Sequence, residues 1–239
     1  MKLASAWLFT VATLTFLSAG CSGTFNAVNP LTRSYSFTTG ITGWDFNISD
    51  YTSDTLPDSV EFTHAPIPRS GAPMALYIGG RNYSSDLLLY ARRQLTDLQP
   101  NTKYTATIET RITTDSPLGC VGVGGGTPGE SVWLIAAVSS VKPATSVSPT
   151  GYVSLNIDRG NQSLSGRQSD VLGIIGTAES PCVGGRTPVD KGLKGTKSIP
   201  VTTDDQGKLW LTIGVDSGYE GYSRIWIQDV TVTFKPVMP

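Results

Sequence analysis

The chain has 239 residues, 39% of them hydrophobic and 15% charged, with 18 basic and 19 acidic side chains and a net charge of −1. That length supports a sizeable core, and all-β sandwiches of this size commonly form one domain. No basic run stands out along the sequence, so nucleic acid and anionic membrane surfaces are poor candidates for its main partner.

Residues 1–20 read as a secretion signal. Lys2 is the only charge among them, and Leu3 to Leu17 is an apolar run broken only by Ser5, Thr10, Thr13 and Thr15. A charged start, a short apolar centre and small residues at the end are the parts of such a signal. The run is short for a membrane span, which needs about 20 apolar residues. Leu17-Ser18-Ala19-Gly20-Cys21 resembles the bacterial lipoprotein processing box, with Ser18 standing where leucine is usual. The resemblance implies that Cys21 carries lipid, that the membrane is reached through that anchor alone, and that the protein belongs to the bacterial cell envelope. Ser22 after the cysteine points to the outer membrane. Residues 21–34 then read as a lipidated N-terminus and tether, being small and polar with little periodicity.

From residue 35 to 239 the pattern is one of short apolar alternations between Gly, Pro, Asn, Asp and Ser clusters. Val60 to Phe62 and Met74 to Ile78 are short strand candidates, whereas Asp86 to Leu95 fits a helix or a strand. Lys103 to Ile112 alternates cleanly, with Tyr104, Ala106, Ile108 and Ile112 on one face. Ser131 to Val138 is a more continuous apolar run, as expected of a strand covered on both sides. Tyr152 to Asp158 alternates again, with Tyr152, Ser154, Asn156 and Asp158 as its outward row. Leu209 to Val215 and Ile225 to Phe234 are rich in β-branched and aromatic residues. About eight strands, punctuated by 26 Gly and 15 Pro, predict an all-β, jelly-roll-like antiparallel sandwich.

Three stretches resemble jelly-roll carbohydrate-binding modules of the galactose-binding-like kind, in the right order along the chain. They are Phe37 to Trp44 near the start, Leu95-Thr96-Asp97-Leu98-Gln99-Pro100-Asn101-Thr102-Lys103-Tyr104 in the middle, and Ile225-Trp226-Ile227-Gln228-Asp229-Val230-Thr231-Val232 at the end. The resemblance implies the fold, places Phe37 to Trp44 on the first strand, and suggests sugar binding by analogy. It also raises a structural calcium near the chain ends, with Asp229 as one candidate; otherwise no cofactor or metal is expected. Gly119 to Val132 and Asp216 to Gly221 are similar to segments of an uncharacterised family of exported bacterial proteins.

Cysteine usage fits export. With Cys21 lipidated, Cys120 and Cys182 remain as an even pair in an oxidising compartment, and a disulfide between them is expected. Catalysis finds little support. Gly122 to Gly126 lacks the Gly-Lys-Ser/Thr ending of a phosphate loop and precedes a strand. The single histidine, His64, lies in a proline-rich stretch that reads as a surface loop. Glu109, Glu130, Glu179, Glu220, Asp158 and Asp216 sit in no recognisable hydrolase pattern, although Glu130 at a strand start invites the role of an acid.

Sugar binding needs an aromatic face and planar polar side chains on a groove or rim. Two stretches offer them: Asn156, Asp158 and Gln162 on a strand end and the loop after it, and Asp216, Tyr219, Glu220, Tyr222 and Arg224 on a second loop. Trp210 lies opposite Leu209, Leu211 and Ile213, so its ring is a candidate platform. These nine residues form the expected ligand site, with both loops at one rim sharing a polar pocket. The expected function is binding of a glycan or small polar ligand, with adhesion to another protein and glycan-active catalysis as the alternatives.

Overall fold

The computed structural model describes residues 29–124 and 126–238. The stretch read as a secretion signal, Cys21 and most of the stretch read as a tether therefore lie outside the described residues. The first strand starts at Leu31, inside the stretch read as tether, so the sandwich begins before the expected boundary at residue 35. Thr32 and Ser34 hydrogen-bond across to Thr233 and Thr231, which makes this polar-looking segment a good partner for an edge.

Two antiparallel sheets pack face to face. The larger has seven strands in the order β13 (Val189–Lys194), β6 (Lys103–Thr114), β16 (Tyr222–Pro236), β4 (Met74–Arg81), β3 (Asp58–Pro66); β1 (Leu31–Ser36) also pairs with β16 and β14 (Ile199–Thr202) with β6. β16 is long enough to pair with β4 through its first half and with β1 through its second. It breaks register with β6 between Ile227 and Asp229, where it passes from one partner to the other. The smaller sheet runs β12 (Ser169–Ile174), β7 (Val132–Ser139), β15 (Leu209–Ser217), β5 (Leu87–Leu95), β2 (Asp45–Ser49). Inward rows from both sheets make the core, among them Ile78, Leu89, Ile108, Leu134, Ile213 and Ile225, each at most 2% exposed.

The chain between β7 and β12 crosses the outer face of the smaller sheet as a cap. Two hairpins build it: β8 (Thr145–Val147) with β9 (Val153–Leu155), and β10 (Gly160–Asn161) with β11 (Leu164–Ser165). Leu155 of the cap packs with Leu88, Tyr90 and Ile135 on the outward side of the sheet. This explains the ambiguous Leu87–Leu95 run. It is a strand buried on both faces, by the core on one side and the cap on the other, so it shows no alternation.

Three expectations need correction. Tyr152 to Asp158 is not one long strand; only Val153–Leu155 is extended in a ladder, and the chain then turns at Asp158 and Arg159. Phe37 to Trp44 is the connection after β1, not the first strand. Its two end rings are buried 5.2 Å apart and anchor it to the core. His64 lies within β3, opposite Leu76, and its Nε2 is 2.7 Å from the Phe37 carbonyl. The prolines around it mark the end of that strand and the turn that follows.

Candidate functional site

Three loops gather at the end of the sandwich where β16 begins and β6 ends. The β6–β7 loop is joined to the β12–β13 loop by the Cys120–Cys182 disulfide, whose Cα atoms are 5.5 Å apart. The Leu118 amide also donates to the Thr177 carbonyl and the Thr177 amide to the Ser116 carbonyl across these loops, and the Ser180 hydroxyl donates to the Asp115 carbonyl. Glu130 staples the first loop from within, accepting from the Gly119 amide and the Thr127 hydroxyl, both at 2.6 Å. Those two donors lower its pKa, Thr127 most. Its carboxylate is a loop fastener.

Between these loops and the start of β16 lies a rim pocket of about 300 Å³. Tyr219 and Tyr222 give it aromatic walls, Arg81, Arg186 and Arg224 its cations, and Asp115 its carboxylate. Asp115 is buried and paired to Arg224, with one contact at 2.5 Å and the Arg224 Nε 3.2 Å from both oxygens. The Arg224 guanidinium also lies 5.5 Å from the Trp226 ring centre. Tyr222 shares a 2.8 Å hydrogen bond with Tyr77, whose phenol is pushed up by burial and by that bond and so stays protonated. The pocket's shape is thus set by side chains already engaged below it.

A second site is built on buried charge under the cap. Arg159, 6% exposed, reaches Asp50 at 2.8 Å, Asp86 at 3.2 Å and Asp216 at 2.5 Å. Tyr152 lies 3.3 Å from both Asp50 and Asp86; burial and those two charges raise its pKa, so it remains a donor. Asp216 is fully buried, and its pKa is pushed up to about 7 by burial, with the Arg159 charge pulling the other way. Burial raises Asp86 as well. Asp50, Asp86, Tyr152, Asp158 and Arg159 line a pocket of about 270 Å³. Four buried polar atoms without a hydrogen-bond partner among the described residues share this sheet face: Tyr90 Oη, Arg92 Nε, Thr212 Oγ1 and Asp216 Oδ1. They sit on the adjacent strands β5 and β15, with Arg92 opposite Thr212 and Tyr90 opposite Gly214.

The expected site residues divide between these places. Tyr219, Tyr222 and Arg224 line the rim pocket, and Asp158 lines the second pocket, 3.3 Å from Arg167. Asp216 is sealed beneath, so it has no direct route to a ligand. Gln162 ties the two loops together: its amide nitrogen donates to Asp216 Oδ2 and its side chain to the Ser85 carbonyl, each at 2.6 Å. Gly218 lies against that side chain, since a Cβ there would fall 2.9 Å from the Gln162 amide. The loops after Asp158 and around Glu220 therefore meet at one end of the sandwich, but they open into two pockets and not one.

The other three expected residues take structural places. Glu220 packs against Gly124, which has a φ of +65° and room for no side chain, since a Cβ would lie 2.0 Å from the Glu220 carboxyl carbon. Asn156 fastens the cap, accepting from the Ala144 amide at 2.9 Å and donating to the Lys142 carbonyl at 3.1 Å. Trp210 is half-buried, its ring 5.3 Å from the Lys142 ammonium. Asp229, the calcium candidate, is engaged by Arg111 at 2.5 Å. The residues that sequence reasoning missed are Arg81, Asp115 and Arg186 at the rim and Asp50, Asp86 and Arg159 below it.

No protein-family model matches the chain, and no curated protein matches it. Among solved structures it is similar to TmCBM27, a carbohydrate-binding module studied for specific mannan recognition, at 14% identity and TM-score 0.43 over 87% of this chain and 99% of that one. It is also similar to the K3 cleaved adhesin domain of Lys-gingipain from Porphyromonas gingivalis (12% identity, TM-score 0.38, 86% and 99% of the two chains). A third is CBM27-1 of Caldicellulosiruptor saccharolyticus, solved with mannohexaose (12% identity, TM-score 0.36, 85% and 96%).

Proposed function

We propose that this is a non-catalytic glycan-binding domain, exported and held at the bacterial envelope by lipid on Cys21, with the rim pocket as its ligand site. The observation that carries the reading is the composition of that pocket: two tyrosine rings beside three guanidinium groups, a buried carboxylate and Ser116, in about 300 Å³. Rings supply stacking surface for a sugar face, and planar polar groups supply directional partners for its hydroxyls. The carboxylates of the second site support a non-catalytic role, because Asp50 and Asp86 are both occupied by Arg159 and Tyr152.

Val121 and Val183 flank the disulfide at 97% and 89% exposure. This favours adhesion to another protein as the second reading. A glycan array probed with the protein and with Tyr219→Ala separates the two. Retention of a defined set of glycans, weakened about two- to tenfold in the variant, is expected when a ring-stacking contact of about 0.5–1.5 kcal/mol is lost. An array on which nothing is retained removes the glycan reading.

A further inference from the structure

The charge of the rim pocket runs against that of the whole chain, which carries a net charge of −1. Three arginines line the pocket against one lining carboxylate, Asp115, and that carboxylate is spent on Arg224. The other two guanidinium groups are weakly committed. Arg186 is exposed and donates only to the Pro181 carbonyl, at 3.2 Å, among the described residues. Arg81 stands 3.8 Å from Asp58 Oδ1, beyond hydrogen-bond reach, while the Tyr83 hydroxyl donates to Oδ2 of the same carboxylate at 2.5 Å. Two donor forks thus face a cavity walled by tyrosine, with the lining carboxylate neutralised behind them.

Neutral hydroxyls do not call for this. A hydroxyl offers a single neutral oxygen, whereas a guanidinium fork matches the two oxygens of a planar or tetrahedral oxyanion and binds it with charge-assisted bonds. We infer that the ligand of the rim pocket is an acidic saccharide, a sugar ring bearing a carboxylate or sulfate, and that Arg186 and Arg81 receive its oxyanion. This rests on the glycan reading above and adds a charge requirement to it. The ring stacks on tyrosine while the anion is drawn to the mouth, where Arg186 stands on the disulfide-tied loop and Arg81 closes β4. Because Arg186 is exposed, its attraction is screened by salt.

Calorimetric titration of the full chain tests this with matched pairs. The carboxylate arm uses oligo-galacturonate and oligo-mannuronate, each beside its carboxyl-reduced counterpart; the sulfate arm uses a sulfated galactan oligomer beside its desulfated form. The expected result is at least a tenfold preference for the acidic member of one pair, shrinking as salt is raised. In Arg186→Gln and in Arg81→Gln that preference should narrow to about threefold or less, with thermal melts matching wild type because both side chains are at the surface. The arm that shows the preference identifies the oxyanion. Equal affinity for acidic and neutral members overturns the charge requirement and leaves the glycan reading standing. If no member of any pair binds, the glycan reading falls and the charge requirement with it.

Discussion

Arg159 and its three aspartates show how much of this protein is decided by single buried groups. One cation does not balance three carboxylates in a buried setting, and burial pushes the pKa of Asp216 up to about 7. Asp216 has one oxygen bound to Arg159 and the Gln162 amide, while Oδ1 has no partner among the described residues. A proton there turns an unmatched acceptor into a donor. The folded protein holds this proton up to about pH 7, whereas an unperturbed aspartate loses it near 3.8. The stability it confers is complete below the unfolded value and is lost as pH rises through the folded one. Asp216→Asn removes that titration with little change of shape. The difference in unfolding free energy between variant and wild type should therefore move in the variant's favour from pH 4 to pH 7. At about 1.4 kcal/mol per pKa unit the swing is on the order of 2–4 kcal/mol. Urea unfolding across that range measures it, and a pH-independent difference would show that Asp216 titrates no differently in the folded and unfolded states.

Strands were legible in the sequence wherever one face meets the core and the other meets solvent. Lys103 to Ile112 reads as a strand from its alternation, which runs on to Thr114, and β15 and β16 read as strands from their β-branched and aromatic content. Beneath the second layer the reading holds for Ser131 to Val138, a run expected to be covered on both sides and found as β7, and fails in two other places. Leu87–Leu95 shows no period because both faces are buried, and Tyr152 to Asp158 shows a strand-like period that its turn does not honour. The candidate site failed for a related reason. Asp158 and Arg159 are neighbours, yet one is exposed and the other buried, because the partners of Arg159 come from positions 50, 86 and 216. No local pattern carries that information. Tyr219, Tyr222 and Arg224 were found because all three crowd one short loop and the strand start after it.

The disulfide is the element-scale device that sequence did disclose, from the even pair of cysteines left once Cys21 is set aside, and it holds two of the pocket's walls. Pro117 and Pro128 lie on one bridged loop and Arg186 on the other. Replacing both Cys120 and Cys182 with serine frees a 62-residue separation. Chain entropy puts the resulting loss at up to about 4 kcal/mol. The urea midpoint should fall and ligand affinity should weaken with it, since the loops must then be ordered on binding. An unchanged midpoint would mean that the bridge constrains nothing the rest of the fold does not already hold.

The whole molecule has a direction. Leu31 pairs with Phe234 and Ser36 with Asp229, so the chain enters at the far end of β16, while the rim pocket surrounds the near end at Tyr222. The twelve-residue span from Tyr222 to Phe234 is about 40 Å of extended strand,. Ten residues separate Cys21 from Leu31, and they reach at most about 35 Å. A lipid on Cys21 would hold the domain by the end opposite the rim pocket and turn that pocket away from the bilayer, the orientation the proposed glycan binding would need. A single acyl chain anchors only marginally, whereas several together hold firmly, each buried CH₂ adding about 0.8 kcal/mol. Cys21→Ser removes the attachment atom for all of them. The variant should leave the membrane fraction, or accumulate as precursor with residues 1–20 still attached, while wild type takes up a fatty-acid probe. Mass spectrometry of the mature N-terminus distinguishes these forms. Membrane partitioning that is unchanged in the variant, with no probe on wild type, would show that the envelope is reached by some route other than Cys21.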